Sequence, residues 1–275
     1  MYNEAVDTVA RMGVEKLVHQ RRSLAGHLAR SALAGMYIGA AIVLILVVGG
    51  NLSVAAPHLV KLLMGVCFGG ALTIVLFAGS ELFTGCNLIL PLAVLNRWAT
   101  LGDLVVNWAW TWLGNLLGSL LLVLLVVRSG VLDADPVRAF VLKVAHTKAS
   151  LTIEQMLWRG VLANWIVCLA VWMNAKMKTE SARILMIWWC MFTFITCSFE
   201  HSVANMTALP LAILLPHDGT VAVTWAEWAR NLGVVTLGNI LGGGGLVGVM
   251  YWIGSRGSRD TLAAPATNGS RVCST

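Results

Sequence analysis

Three uninterrupted runs of apolar residues stand out along the chain. They cover residues 32–50, 104–127 and 232–253. Each run is long enough to cross the hydrocarbon core of a bilayer, which is roughly 30 Å thick, as a single α-helix. We therefore predict three transmembrane helices from these runs.

Two further apolar regions are interrupted by polar and charged residues. The first covers 59–78 and resumes over 88–95, and the second covers 184–196 and resumes over 206–215. We interpret each pair as one transmembrane helix that is broken at mid-membrane. Residues 160–173, with a start nearer Met156, complete a set of six spans.

The composition supports a membrane protein and excludes several other classes. Hydrophobic residues make up 58% of the chain and charged residues 12%, and the mean hydropathy is +0.78, which no ordinary soluble domain reaches. The basic residues are scattered through short loops, so we expect no nucleic-acid partner. The six cysteines lie mostly inside apolar segments without metal-ligand spacing, which predicts free, mostly buried thiols and no metal site.

Six spans place both termini on one side of the membrane. More Lys and Arg residues lie in the termini and the loops on their side than in the opposite loops, so both termini are predicted to be cytoplasmic. The loop over 128–148 does not follow this rule, because it is predicted to lie outside the cell membrane yet carries four basic residues. A basic outer vestibule would explain these charges, as would contact with lipid headgroups.

The two ends of the chain differ from the apolar centre. In residues 1–30 the spacing of Val6, Ala10, Val14 and Leu17 predicts a cytoplasmic amphipathic helix on the membrane surface. Residues 31–254 are predicted to form a six-helix transmembrane domain. Residues 255–275 are small and polar, which is typical of a flexible cytoplasmic tail.

The two halves of the chain resemble each other. Residues 113–118 (LGNLLG) match residues 237–242 (LGNILG), and each break carries a glutamate followed by an asparagine, Asn87 or Asn205. Such small-residue patterns are also common helix-packing motifs in any membrane protein. Since three spans per copy place the copies in opposite orientations, we predict an all-α protein of two inverted three-helix repeats, with helices 2 and 5 broken.

The breaks must face the protein interior, because lipid cannot satisfy unpaired amide and carbonyl groups. We assign Glu81 and Glu200 a structural role as acceptors for loop amides. His201 can donate, accept and titrate near neutral pH, although a lone histidine is often a satisfied core residue. Thr84 is interpreted as the matching position in the first break, so we predict a hydrogen bond from Thr84 to His201.

Bulky apolar residues near the breaks are candidates for closing a path on either side of His201, although such residues are usually packed or facing lipid. They are Phe68, Leu72, Leu82, Phe83, Phe194 and Phe199. Lys148, at the mouth of the fourth span, could attract an anion into an outer vestibule. A basic residue at a membrane edge could equally extend to lipid headgroups.

These segments resemble the formate/nitrite transporter family. Residues 79–85 (GSELFTG) and 199–206 (FEHSVANM) are similar to the two broken-helix loops of that family, and residues 112–115 (WLGN), 162–173 (LANWIVCLAVWM) and 236–239 (TLGN) match further motifs. The resemblance covers residues 30–254 with all six spans in order. The Ser-Glu form of the first loop and residues 187–190 (IWWC) are more similar to the nitrite-channel branch than to the formate branch.

The resemblance implies an aquaporin-like protomer with its own pore, assembled as a homopentamer in the bacterial inner membrane. It makes His201 the central pore histidine, Thr84 its loop partner, and Lys148 the vestibule lysine with Asn164 nearby. Four apolar residues fall on constriction positions of the family: Phe68, Leu72, Leu82 and Phe194. Four asparagines complete the predicted site, with Asn205 in the pore and the others structuring the loops: Asn87, Asn115 and Asn239.

Two departures from the family pattern are visible. Ser198 stands where the family usually has glycine, and the segment before the first span has Arg30 instead of the usual proline and lysine. Neither removes a pore residue, but both leave gating and substrate preference open.

The implied function is transport of small monovalent anions across a lipid bilayer, with nitrite favoured. The anion would cross as its protonated acid, or with proton coupling through His201. Formate, hydrosulfide or lactate are alternatives within the same family.

Two other classes fit the residues less well. An aquaporin-like channel for neutral solutes requires Asn-Pro-Ala loops, and residues 85–87 and 204–206 lack that proline. A membrane enzyme requires a nucleophile, a metal set or a cofactor motif, and the sequence has none of these. We therefore expect neither enzymatic activity nor a cofactor.

Overall fold

The computed structural model describes residues 2–216 and 223–262, and every regular element within these ranges is helical. Side chains are described for residues 3–216 and 223–256. The last helix continues through Leu262, beyond the predicted end of the channel domain at residue 254. The rest of the predicted tail, residues 263–275, lies outside the described residues.

Six helices make up the first half of the chain. They are α1 (Tyr2–Arg22), α2 (Leu24–Ala55), α3 (Val60–Phe68), α4 (Ala71–Phe77), α5 (Phe83–Leu95) and α6 (Leu101–Ser129). The second half has α7 (Val137–Ala149), α8 (Ile153–Lys176), α9 (Glu180–Thr196), α10 (Ser202–Leu214), α11 (Trp225–Ile240), a π-helical stretch (Leu241–Val249) and α12 (Met250–Leu262). Of these, α7 lies in the basic loop and was not predicted.

Several helices have the length and hydropathy of a membrane span. In the described ranges there are five such stretches: Leu24–Ala55, Pro57–Phe77, Leu101–Ser129, Ile153–Lys176 and Trp225–Arg256. Helix α9 has 17 residues and leads through a break into α10. The chain is therefore a multi-pass membrane protein.

The amphipathic α1 packs against protein. Val6, Val9 and Ala10 are fully buried, in an apolar cluster shared with α5 and with residues that flank it from α12. A Cβ added at Gly13 would lie 3.0 Å from Ala93 of α5. The apolar face was predicted correctly, and α5 and α12 cover it. The position of α1 at the membrane surface stays a prediction.

The first broken helix has an extra interruption, between α3 and α4. Gly69 and Gly70 separate the two helices, and the Trp188 indole of α9 lies directly where a Cβ on Gly69 would project. Trp188 also donates a hydrogen bond from Nε1 to the Val66 carbonyl at 3.2 Å. Glycine pairs are common sites of helix kinks, and here the pair admits an aromatic ring against the backbone.

Helices α6 and α11 begin with the same capping arrangement. Thr100 accepts a hydrogen bond from the Asp103 amide while the Asp103 carboxylate accepts one from the Thr100 amide. Thr224 and Glu227 repeat this arrangement at the start of α11. Each capping box satisfies two amides that the helix itself cannot.

Small residues bring α2 and α6 into close contact. A Cβ on Gly118 would overlap the backbone carbonyl of Ala32, and one on Gly35 would overlap that of Asn115. Close backbone approach through small residues is a main source of helix association in membranes. This contact places Asn115 of α6 beside the first break.

We predict that Gly118→Ala destabilises the fold. The added methyl group would force α2 and α6 apart, and overpacking of this kind costs about 1–3 kcal/mol. The measurement is the apparent Tm of the purified protein, followed by tryptophan fluorescence.

Gly233→Ala in α11 is the matched control, because a Cβ there would meet no atom within 4 Å. This control should leave the Tm unchanged or raise it, since alanine favours helices over glycine by about 1 kcal/mol. Equal Tm values for the two variants would contradict the packing argument.

Candidate functional site

Each break contains one residue in the left-handed backbone region, two positions before its glutamate. Gly79 has a φ of 71° and Ser198 a φ of 56°. Glycine adopts this conformation without strain, whereas serine has a Cβ that crowds the backbone. Ser198 therefore keeps the same loop shape as Gly79 at a higher conformational energy.

Asn115 holds the first break in place. Its Nδ2 donates to the carbonyl oxygens of Ser31 at 2.7 Å and Glu81 at 2.8 Å, and its Oδ1 accepts from the Phe83 amide at 2.9 Å. The Glu81 amide donates to the Arg30 carbonyl at 3.2 Å. One side chain thus satisfies backbone groups that the broken helix leaves unpaired.

Asn239 makes the corresponding contacts in the second half. Its Nδ2 donates to the carbonyl oxygens of Gly160 at 2.8 Å and Glu200 at 3.1 Å, and its Oδ1 accepts from the Ser202 amide at 2.9 Å. The Glu200 amide donates to the Arg159 carbonyl at 3.2 Å. The two breaks are therefore supported by the same set of hydrogen bonds.

The Glu81 carboxylate is buried and paired with a lysine from α1. Lys16 Nζ donates to Glu81 Oε2 at 2.5 Å. Burial lowers the pKa of Lys16, but the charge of Glu81, the nearby Cys86 and the hydrogen bond to Glu81 together outweigh it, so the pKa lies above the ordinary lysine value. The carboxylate partner is thus a cation and not, as predicted, a loop amide.

The Glu200 carboxylate is also buried and paired with a lysine, which comes from α7. Lys148 Nζ donates to both Glu200 oxygens, at 2.9 and 3.0 Å. Asn205 Nδ2 donates to Glu200 Oε2 at 2.7 Å and to Asn231 Oδ1 at 2.8 Å. Because Glu200 is only 2% exposed, most of the Lys148 charge is compensated inside the protein.

His201 joins the two breaks. Its Nε2 lies 2.9 Å from Thr84 Oγ1, and its Nδ1 accepts a hydrogen bond from the Ala204 amide at 3.2 Å, which caps α10. The predicted contact between Thr84 and His201 is present. The two residues do not occupy matching positions, however, because Leu82 is the residue that follows Glu81 as His201 follows Glu200.

His201 lies at a small and mostly apolar cavity, which we call the His201 chamber. The chamber has a volume of about 10 Å³, near the minimum for one water molecule. Its lining consists of Ile38, Phe68, Leu72, Leu82, Val167, Met191, Phe194 and His201. All four residues placed on constriction positions thus surround the histidine.

A much larger cavity lies on the Lys148 side, and we call it the Lys148 vestibule. Its volume is about 680 Å³, and it reaches the chamber at Phe194, which lines both. Its walls come from α2, α3, α7, α8, α9, α10, the loop before α8 and the second break: Ile42, Ile45, Leu46, Val60, Lys61, Met64, Phe140, Lys143, Val144, Thr147, Lys148, Leu151, Arg159, Leu162, Phe194, Ile195, Cys197, Ser198, Phe199, Glu200, Ala204 and Ala208.

Three basic vestibule residues were missed as site residues in the sequence. Lys61, Lys143 and Arg159 line the cavity, and within the described ranges no carboxylate lies within 4.0 Å of them. The available signal was the unexplained basic charge of the 128–148 loop, which contains Lys143. These residues, more than Lys148, supply the uncompensated positive charge.

The remaining predicted residues contact other parts of the structure. Asn164 donates from Nδ2 to Asn87 Oδ1 at 3.0 Å and to the Asn239 carbonyl at 2.6 Å, and it lines neither cavity. Phe83 packs edge-on against Trp108 and also lines neither cavity. The structure therefore places Asn164 among the supports of the breaks and outside the lining of the Lys148 vestibule.

The π-helical stretch packs against the same supports. A Cβ on Gly243 would lie within 3.0 Å of Asn164 Nδ2, Cys168 Sγ and Asn87 Cβ, and Cys168 Sγ lies 3.3 Å from the Thr84 carbonyl. A glycine is therefore required at this close approach. Among the described residues, no cluster of three or more His, Cys, Asp or Glu side chains is placed to hold a metal ion.

These features define a multi-pass membrane protein with a buried histidine in a small apolar cavity where two broken helices meet. The sequence profile of the formate/nitrite transporter family matches residues 3–253. The chain therefore belongs to the formate/nitrite transporter family, as its motifs predicted.

Individual relatives include transporters of both anions. The chain is 42% identical to the nitrite transporter NirC of Salmonella typhimurium, over 81% of this chain and 80% of that protein. It is 41% identical to a probable formate transporter of Methanothermobacter thermautotrophicus, over 81% of this chain and 86% of that protein. Similar identity to both leaves the substrate unassigned by these comparisons.

Solved structures show the same fold. An FNT family ion channel superimposes with a TM-score of 0.85 at 37% identity, covering 91% of this chain and 98% of the other. A pentameric formate channel with formate bound gives a TM-score of 0.72 at 30% identity, covering 84% of this chain and 97% of the other.

The left-handed backbone of the second break leads to a prediction. Ser198→Gly should raise the free energy of unfolding by about 0.5–1 kcal/mol, because relief of left-handed strain exceeds the extra entropy of an unfolded glycine. For a protein of this size that corresponds to an apparent Tm higher by about 2 °C.

Gly79→Ser is the reciprocal variant and should lower the Tm by a similar amount. If Ser198→Gly lowered the Tm, the serine side chain would have a stabilising role that outweighs its backbone strain.

Proposed function

We propose that the protein is a channel for small monovalent anions, nitrite first, in the bacterial inner membrane. The observation that carries the proposal is His201 in an apolar chamber of about 10 Å³ at the inner end of a basic vestibule. Nitrite is favoured by the Ser80-Glu81 loop and by residues 187–190. Formate is the second candidate, since a probable formate transporter is about equally similar.

The proposed architecture has six spans in two inverted repeats, with an aquaporin-like protomer. The matching capping boxes and the matching bonds of Asn115 and Asn239 support a repeat. Pro91 and Pro210 support it as well, since each lies ten positions after the glutamate of its break. Similarity to a pentameric formate channel supports a homopentamer, and the distribution of Lys and Arg supports cytoplasmic termini.

Transport begins with capture of the anion in the Lys148 vestibule. Lys61, Lys143 and Arg159 provide uncompensated positive charge there, which raises the local concentration of small anions. Lys148 orients Glu200 and neutralises it, so that a buried carboxylate next to His201 does not repel the anion. Phe194 and the other chamber residues then exclude bulk water.

The anion crosses the chamber as its neutral acid. A low-dielectric, apolar cavity disfavours the charged form of nitrite or formate and so promotes uptake of a proton. His201 Nδ1 accepts the Ala204 amide, so the ring is neutral with its proton on Nε2, which donates to Thr84 or to the anion. The proton that neutralises the anion then comes from vestibule water, and His201 acts as a fixed hydrogen-bond donor.

His201 variants test this mechanism by pH-resolved uptake into proteoliposomes. Nitrite flux should exceed formate and hydrosulfide flux and should rise as external pH falls. His201→Ala should lower nitrite flux about tenfold, because a hydrogen bond to a charged group is worth about 1.5–3 kcal/mol. The exposed His19→Ala should match wild type.

His201→Asn separates the two proton sources. Asparagine can cap α10 but cannot titrate, so this variant should keep part of the flux and its full pH dependence. Flux that no longer responds to pH in His201→Asn would identify His201 as the proton donor. Wild-type flux in His201→Ala at every pH would make the histidine purely structural.

Lys148 variants test the pairing with Glu200. Lys148→Ala leaves Glu200 buried without its cation, which is strongly destabilising, so nitrite flux should fall about tenfold or more and the Tm should fall as well. Lys148→Arg should retain most of the nitrite flux and of the Tm. Lys178→Ala, a change at an exposed lysine, should leave the flux and the Tm at their wild-type values. Unchanged nitrite flux in Lys148→Ala would show that Lys148 does not contribute to transport.

A further inference from the structure

The Lys148 vestibule is far larger than a triatomic anion requires. Its volume of about 680 Å³ lies within the 300–1,000 Å³ range of sites that enclose organic ligands. The His201 chamber beyond it has only about 10 Å³. A molecule that fills the vestibule would therefore be stopped at Phe194, where the two cavities meet.

Much of the vestibule wall is apolar and aromatic. Its apolar members come from six helices, the loop before α8 and the second break: Ile42, Ile45, Leu46, Val60, Met64, Phe140, Val144, Leu151, Leu162, Phe194, Ile195, Phe199, Ala204 and Ala208. A small inorganic ion gains no binding energy from such a wall, whereas an alkyl or aryl group is stabilised there by the removal of its apolar surface from water.

The charges in the same cavity are unbalanced. It contains the four cations Lys61, Lys143, Lys148 and Arg159 and the single carboxylate of Glu200, so its formal charge is +3. Lys148 is already bonded to both oxygens of Glu200. The other three cations have no carboxylate within 4.0 Å in the described part of the chain.

We propose that the Lys148 vestibule is a binding site for amphipathic organic monoanions, such as medium-chain carboxylates, which block the protomer. The carboxylate head group lies with Lys61, Lys143 and Arg159, and the alkyl chain covers the apolar wall. Because the ligand is too large for the His201 chamber, it occupies the vestibule without crossing. This site goes beyond the proposed transport of small anions and does not depend on which small anion passes.

Cys197 provides a readout of occupancy that is independent of transport. It is an exposed free thiol and lines the vestibule. In wild-type protein reconstituted in vesicles, the rate of Cys197 modification by a negatively charged thiol reagent is measured by peptide mass spectrometry. Octanoate is the probe, and acetate and octanol are the head-group and tail controls.

Octanoate should slow Cys197 modification several-fold and saturably, whereas acetate and octanol at equal concentration should not. Lys143→Gln should raise the half-protecting octanoate concentration about fivefold, which is the effect of losing one partly screened charge. The matched variant Lys178→Gln, outside the vestibule, should leave it unchanged. Nitrite flux should fall over the same octanoate concentrations as the labelling.

Three results would overturn the proposal. Equal protection by octanol would make the site a general apolar cavity or a place for lipid chains. Equal weakening by Lys143→Gln and Lys178→Gln would mean that octanoate acts through the bilayer. Protection without any loss of flux would exclude the block. If wild type carried no nitrite flux, the transport proposal would fail. The labelling of Cys197 would still show whether octanoate binds in the Lys148 vestibule.

Discussion

The structure depends on one constraint: backbone groups freed at membrane depth must find partners inside the protein. Lipid provides none, and each buried unpaired group costs several kcal/mol. Asn115 and Asn239 meet this constraint with the same three kinds of hydrogen bond. The loops are consequently rigid enough for side chains at their centre, including His201, to hold a defined geometry.

The buried charges of Glu81 and Glu200 also need partners inside the protein. Each lies in a break, is nearly buried, and receives a lysine from a helix outside the broken pair, Lys16 from α1 and Lys148 from α7. A buried ion pair adds little net stability, but loss of one member leaves a charge that the interior cannot solvate. The helices at both ends of the site are therefore attached to it by charge as well as by apolar packing.

The pattern of apolar and charged residues was sufficient to predict the features that depend on residues close together in the sequence. The apolar runs located the transmembrane segments, and the charged interruptions located the breaks and the meeting of Thr84 with His201. Contacts between distant residues were not accessible in this way. The pairing of Lys16 with Glu81, the meeting of Lys61, Lys143 and Arg159 in one cavity, and the supporting role of Asn164 each depend on how separate helices pack. The apolar face of α1 was visible, but periodicity cannot distinguish cover by lipid from cover by α5.

His201 has two duties that constrain each other. The nitrogen that would receive a second proton, Nδ1, is the one that accepts the Ala204 amide at the start of α10. Protonation of the ring would therefore break the hydrogen bond that caps the first turn of α10. A change in the charge of the imidazole would thus also change the conformation at the start of that helix. In the proposed mechanism the histidine does not carry the proton itself, so the passage of an acid molecule would leave the end of α10 unchanged.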